Sequence, residues 1–181
     1  MLIRTLIVMS LCLVASTQRD LSVARELLRQ QRYDAALATL EEFLEASPGH
    51  AEALSLMGAA HLYRRRDFLK AKSLFEESFR KGGGATFWVH HSHEKFGDAL
   101  LADYCRGWLY FDKNGMTFTT DFAGHSFELK YSAVKEIKQN RLVPSHFHVK
   151  DGARNFNFCP RTGDEGEVWL IVAMYKKFSN P

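Results

Sequence analysis

The groups in this sequence best suited to chemistry are imidazoles and thiols. Five of the eight histidines, His91, His93, His125, His146 and His148, fall in stretches that alternate like strands. Alternate histidines on a strand project to the same side, where imidazole can hold zinc or copper. The neighbours divide them, however. His91 and His93 share a phase with Phe87 and Val89, the expected interior, whereas His146 and His148 alternate against Phe147 and Val149 and so point outward. With no local ligand motif to join them, no metal site and no cofactor is expected, and a histidine-based metal protein stands only as an alternative. Cys105 near a histidine has the makings of a nucleophile pair, but no flanking motif or oxyanion arrangement accompanies it. Gly82-Gly83-Gly84 lacks the lysine and Ser/Thr pair of a phosphate-binding loop. An enzyme is not expected.

The triple glycine matters instead as a boundary, because glycine accepts either sign of φ and weakens helix and strand interiors alike. Before it, Ala71, Phe75 and Phe79 recur every four residues; after it, Phe87-Trp88-Val89 opens a series of aromatic and β-branched runs. Two modules are expected, at 18–81 and 82–181. The charge is nearly balanced, 24 basic against 21 acidic residues, and each module has one more basic than acidic residue, so nothing concentrates the positive field that a nucleic acid partner requires. Arg64-Arg65-Arg66 is the one local basic cluster.

At the amino end, Arg4 precedes the apolar run Leu6 to Ala15, followed by the small residues Ser16 and Thr17. That is the pattern of a secretory signal peptide over 1–17, too short for a comfortable membrane span of about 20 residues. Export to the periplasm or outside follows if it is cleaved, and membrane anchoring otherwise. Cys105 and Cys159 then remain, and a bridge between them is open in an exported chain.

In 18–81 two segments align about 35 residues apart: Tyr33, Ala36 and Leu40 with Phe68, Ala71 and Phe75. Leu54, Met57, Gly58 and His61 precede the second set, and Pro48 closes the first unit. This resembles the tetratricopeptide repeat, although Asp20 and His61 stand where aromatics are usual. The resemblance implies two antiparallel helix pairs and a protein or peptide partner. Tyr33, His61, Tyr63, Arg64, Arg65 and Arg66 are the partner-facing candidates. Repeat stacks need three or more units, so two must be capped by the second module, another subunit or a partner.

The second module reads as seven strands: Thr86 to His93, Cys105 to Asp112, Met116 to Asp121, His125 to Lys130, Lys135 to Asn140, Ser145 to Lys150 and Arg154 to Cys159. A hairpin turn is signalled at Asn114-Gly115. A helix over 163–178 follows, with a capping box expected from Thr162 and Glu165, and an apolar middle from Val168 to Tyr175. Strands followed by one helix resemble the pleckstrin-homology-like barrel, a family that includes GRAM-type domains. The resemblance implies a closed barrel plugged at one end by Trp169. It also implies a lipid alternative, a membrane-surface adaptor that binds anionic head groups, for which Lys95 and Arg106 are the basic residues at hand. The first two strands are apolar on both faces, and Trp88, Trp108 and Tyr110 are the expected seam with the helices. The fold class is therefore α+β, and the function expected is a non-enzymatic interaction or scaffold module.

Overall fold

A computed structural model describes residues 21–92, 104–152 and 154–180. The proposed signal peptide, His93 and Lys95 lie outside them. Helix α1 (residues 21–29) is followed by α2 (Tyr33–Ala46), α3 (Ala51–Arg65) and α4 (Phe68–Arg80). His50 caps α3 by accepting from the Ala53 amide, and Asp67 caps α4 by accepting from the Lys70 amide at 3.0 Å. Between them Arg66 ends α3 in the left-handed conformation, at φ 54°. Ala36, Ala59, Ala60 and Ala71 are wholly buried among the four helices, where small side chains allow close approach.

The strands are β1 (Ala85–Ser92), β2 (Tyr104–Phe111), β3 (Gly115–Thr120), β4 (Phe127–Lys130), β5 (Glu136–Gln139), β6 (Phe147–Asp151) and β7 (Arg154–Pro160). All pairings are antiparallel, in the order β4-β3-β2-β1-β7-β6-β5. At the turn after β2, Asp112 Oδ1 accepts from the amides of Asn114 and Gly115. The expected closed barrel does not form. β4 and β5 are the two edges of an open sheet, each only four residues long and separated by a 3-10 turn, Tyr131–Ala133.

Helix α5 (Glu165–Ser179) covers the inner face in place of closure. Val168, Leu170, Ile171, Met174 and Phe178 are buried with Phe87, Leu109, Phe111 and Phe158. Trp169 is no plug; it is 56% exposed. At about 100° per residue it falls on the opposite side of the helix from Ile171, Met174 and Phe178. Nor does the Thr162–Glu165 capping box form. Asp164 caps α5 by accepting from the Gly166 amide at 2.7 Å, which frees Thr162 for a different partner.

The helices and the sheet share a core. Phe75 of α4 meets Phe87 of β1 at 5.0 Å between ring centroids, and Phe79 stacks on Phe178 of α5 at 4.1 Å. The last two residues of the triple glycine between them are tightly packed. Gly82 has φ +89° in open space, and a Cβ on Gly84 would stand 1.7 Å from the Phe111 carbonyl oxygen. Buried Ser78 latches the joint, accepting from the Gly84 amide at 3.0 Å and donating to the Ala51 carbonyl at 2.7 Å.

Two substitutions test this packing. A Cβ on Gly58 would lie 2.7 Å from the Phe75 ring, so Gly58→Leu should cost about 1–3 kcal/mol in urea unfolding through overpacking. Gly84→Ala faces rigid backbone and should cost at least as much, with both modules melting together because they share Phe75 and Phe87. Separate melting of helices and sheet, followed by far-UV and near-UV dichroism, would contradict a common core.

Candidate functional site

α3 lies along the outer face of β1, and the contact is polar as well as apolar. Ser55 and Thr86 hydroxyls are 2.7 Å apart, and the Trp88 amide donates to the Tyr63 hydroxyl oxygen at 2.5 Å. Tyr63 in turn donates to Glu167 Oε1 at 3.3 Å, while the amide and hydroxyl of Thr162 donate to Oε2 at 3.1 and 2.6 Å. Glu167 is wholly buried, an expensive place for a carboxylate. Burial pushes its carboxyl up to about 7; the Thr162 and Tyr63 hydrogen bonds pull the other way, and Asp164 adds a smaller push upward. Burial, then the Glu167 charge, raises the Tyr63 hydroxyl well above the ordinary phenol range, so it stays a donor.

Beside this seam a cleft of about 600 Å3 opens between the helices and the outer face of the sheet. Leu56, Trp108 and Tyr110 give it apolar surface, the Gly82-Gly83 backbone closes one side, and Arg25 and Glu52 form an ion pair on its rim. Trp108 stacks edge-on against its cross-strand partner Trp88 at 4.7 Å. Tyr110 is pushed up to about 12 by burial first, then by Asp112 and Glu52, and so presents a proton donor. A narrower hollow of about 110 Å3 adjoins it, sharing Trp108 and Thr119 and edged by the Arg29–Asp121 pair.

The residues chosen from sequence distribute as follows. Trp88, Trp108 and Tyr110 lie on the sheet face turned toward the helices, with Trp108 packed on the helical core. Tyr33 and Tyr63 face each other at 6.1 Å, with Tyr63 committed to the seam. Arg64 pairs with Asp34 and Arg66 with Asp164 at 2.9 Å, so both guanidiniums bind their own chain. His61 is half-buried, its pKa lowered first by burial and then by Lys70, and Arg65 is exposed.

Of the five histidines considered for metal, His93 lies outside the described residues and the other four stand at different places on the sheet. His91 lies inside among Phe118, Phe127, Phe156 and Phe158, with Cys105 Sγ 3.7 Å from its Nδ1. His125 packs on Phe122, and His148 Nε2 is 2.8 Å from Glu136. Among the described residues no three His, Cys, Asp or Glu side chains form a metal-holding group. Cys105 and Cys159 lie on opposite faces of the sheet, opposite His91 and His90 respectively, which excludes a bridge between them in this register.

No family model and no curated protein matches the chain. Among solved structures, the N-terminal PH domain of human ARAP2 is similar at 15% identity, over 51% of this chain and 79% of that one, with a TM-score of 0.37. Inner Membrane Complex Sub-compartment Protein 3 from Toxoplasma gondii is similar at 16% identity, over 64% and 84%, with a TM-score of 0.40. The C-terminal domain of an unknown protein from Leishmania infantum is similar at 13%, over 47% and 78%, with a TM-score of 0.34.

Sequence reasoning marked neither Glu167 nor the cleft residues Arg25, His50 and Leu56. Glu167 had a visible signal, a carboxylate in the first turn of α5 directly before the apolar run Val168 to Tyr175. Its proton is held more tightly in the folded chain than in the unfolded one, so its contribution is fully present below the ordinary carboxyl range and is lost as pH rises toward about 7. Glu167→Gln should flatten the loss of unfolding free energy between about pH 5 and pH 7, and exceed the parent at about pH 8 by roughly 2–3 kcal/mol. Urea titrations across that range decide it; an unchanged slope in the variant would assign the pH dependence to other groups.

Proposed function

We propose that this chain is a non-enzymatic binding module that holds a peptide segment of a protein partner in the cleft between its helices and the outer face of its sheet. The single observation behind this is the cleft's composition: apolar surface from Leu56, Trp108 and Tyr110, with an ion-paired rim. A rigid aromatic floor with polar edges suits an apolar side chain flanked by backbone. The titratable groups around it are engaged in structure: Arg25 and Glu52 neutralise each other, and His50 caps α3. That supports binding over catalysis.

The four helices act in this proposal as a tetratricopeptide-like pair of hairpins whose open end is covered by the sheet. Partner contact shifts from Tyr33, Tyr63, Arg64 and Arg66, which bind within the chain, to the cleft; His61 and Arg65 remain on the helical surface. Export, supported by the apolar run Leu6 to Ala15, would place the partner outside the cytoplasm or at a membrane surface.

Thr119 is exposed at the cleft mouth, so Thr119→Trp should fill the opening without disturbing the core. A partner crosslinked by the full chain should be lost about tenfold or more in this variant and retained by Glu128→Trp on β4, outside the cleft. Equal recovery by both variants would refute the cleft as the site.

A further inference from the structure

Trp169, expected inside and found at the surface, belongs to a longer stripe. At about 100° per residue, Glu165, Trp169, Val172 and Lys176 of α5 fall within about 60° of one another, on the side away from Ile171, Met174 and Phe178. Glu165, Trp169 and Lys176 are exposed and Val172 is half-buried. Their spacing of four, three and four residues is that of a seam along which a second helix packs.

The neighbouring helix extends this surface and takes up the charges on its own side. A Cβ on Gly166 would lie 2.8 Å from the Phe68 ring, and Phe79 stacks on Phe178, so α4 lies alongside α5 at both ends. Leu69, the residue after Phe68, is 80% exposed. Asp164 is held by Arg66 and Lys177 by Glu76, each at 2.9 Å. Glu165 and Lys176 stand one residue round the helix from those pairs, about 17 Å apart along its axis, with Trp169 and Val172 between them. A stripe that is acidic at one end, apolar in the middle and basic at the other is complementary to its own reversal. With Glu165 set opposite Lys176 of an antiparallel copy, Trp169 falls opposite Val172, and each contact occurs twice about the two-fold axis. Antiparallel helices also oppose their dipoles favourably, N-terminus against C-terminus.

We propose that this face of α5 binds a second copy of the chain, as an antiparallel α5–α5 pair in which Glu165 meets Lys176 and Trp169 meets Val172 across a two-fold axis, with Leu69 at its flank. A different partner would not require the stripe to match its own reversal; a second copy does. One helix face about 17 Å long falls short of the ~800 Å2 per partner that a tight dimer buries, so the pair forms on the order of tens of micromolar. α5 covers the inner face of the sheet and the aromatic cleft lies on the outer one, so both copies keep their clefts open, and the pair stands whether or not a peptide binds there.

Sedimentation velocity of the full chain from about 5 to about 500 μM should show a reversible monomer–dimer equilibrium. Trp169→Ala, a change at the surface, should weaken it about tenfold or more. Glu165→Lys and Lys176→Glu each set like charges against each other at both ends of the pair and should weaken it by about the same factor. The two charge variants mixed in equal amounts should recover the dimer, because each then meets the opposite charge at both ends. Lys113→Glu, in the turn after β2, should leave association unchanged. Far-UV dichroism and melting of each variant separate a lost interface from a lost fold. The proposal is overturned if the parent chain stays monomeric over that range, if Trp169→Ala dimerises like the parent, or if the mixture associates no more than its components.

Discussion

The hydroxyl of Tyr63 is the point on which the arrangement of this molecule turns. It takes a hydrogen bond from the Trp88 amide and gives one to Glu167, so one phenol ties α3 to β1 and to α5. The amide it accepts from belongs to a strand whose outer face would otherwise meet solvent. The carboxylate it donates to is wholly buried, and Thr162 supplies its two other hydrogen bonds. A buried carboxyl with three donors is tolerable; with fewer it would destabilise the seam.

That polar seam rests on a continuous apolar core. Phe75 and Phe87 pack across the boundary, and Phe79 and Phe178 join the two helices that flank it. Gly82, Gly83 and Gly84 are short enough to let α4 run straight into β1, with Ser78 holding the backbone of the joint. Because the junction is rigid, the outer face of β1–β3 meets α3 at a fixed distance. The aromatic cleft is the part of that meeting that side chains do not fill.

The sheet then offers different chemistry at its two ends. Toward the triple glycine its outer face is aromatic, with Trp88, Trp108 and Tyr110. Toward the other end of β1 the same face turns to Arg106, His90, Cys159 and His146. An open sheet makes this division available, since α5 covers only the inner side and leaves the outer side to the helices.

Element order, the change from helix to strand at the triple glycine and the two-faced apolarity of the first strands were legible in the sequence, because helical and strand periods and turn residues are local signals. It also marked α5 as buried, yet it misplaced Trp169. When nearly every position of a helix is apolar, no periodicity identifies the inward face, and only packing against Phe87 and Phe111 chose Ile171, Met174 and Phe178. Closure of the sheet was likewise decided by tertiary structure, since it depends on whether short β4 and β5 meet. The buried pairing of Tyr63 with Glu167, and the row from Arg106 to His146, join residues separated by up to 104 positions. Such juxtapositions follow from register and docking, which are set by the sum of many weak contacts and leave no mark in any local stretch of chain.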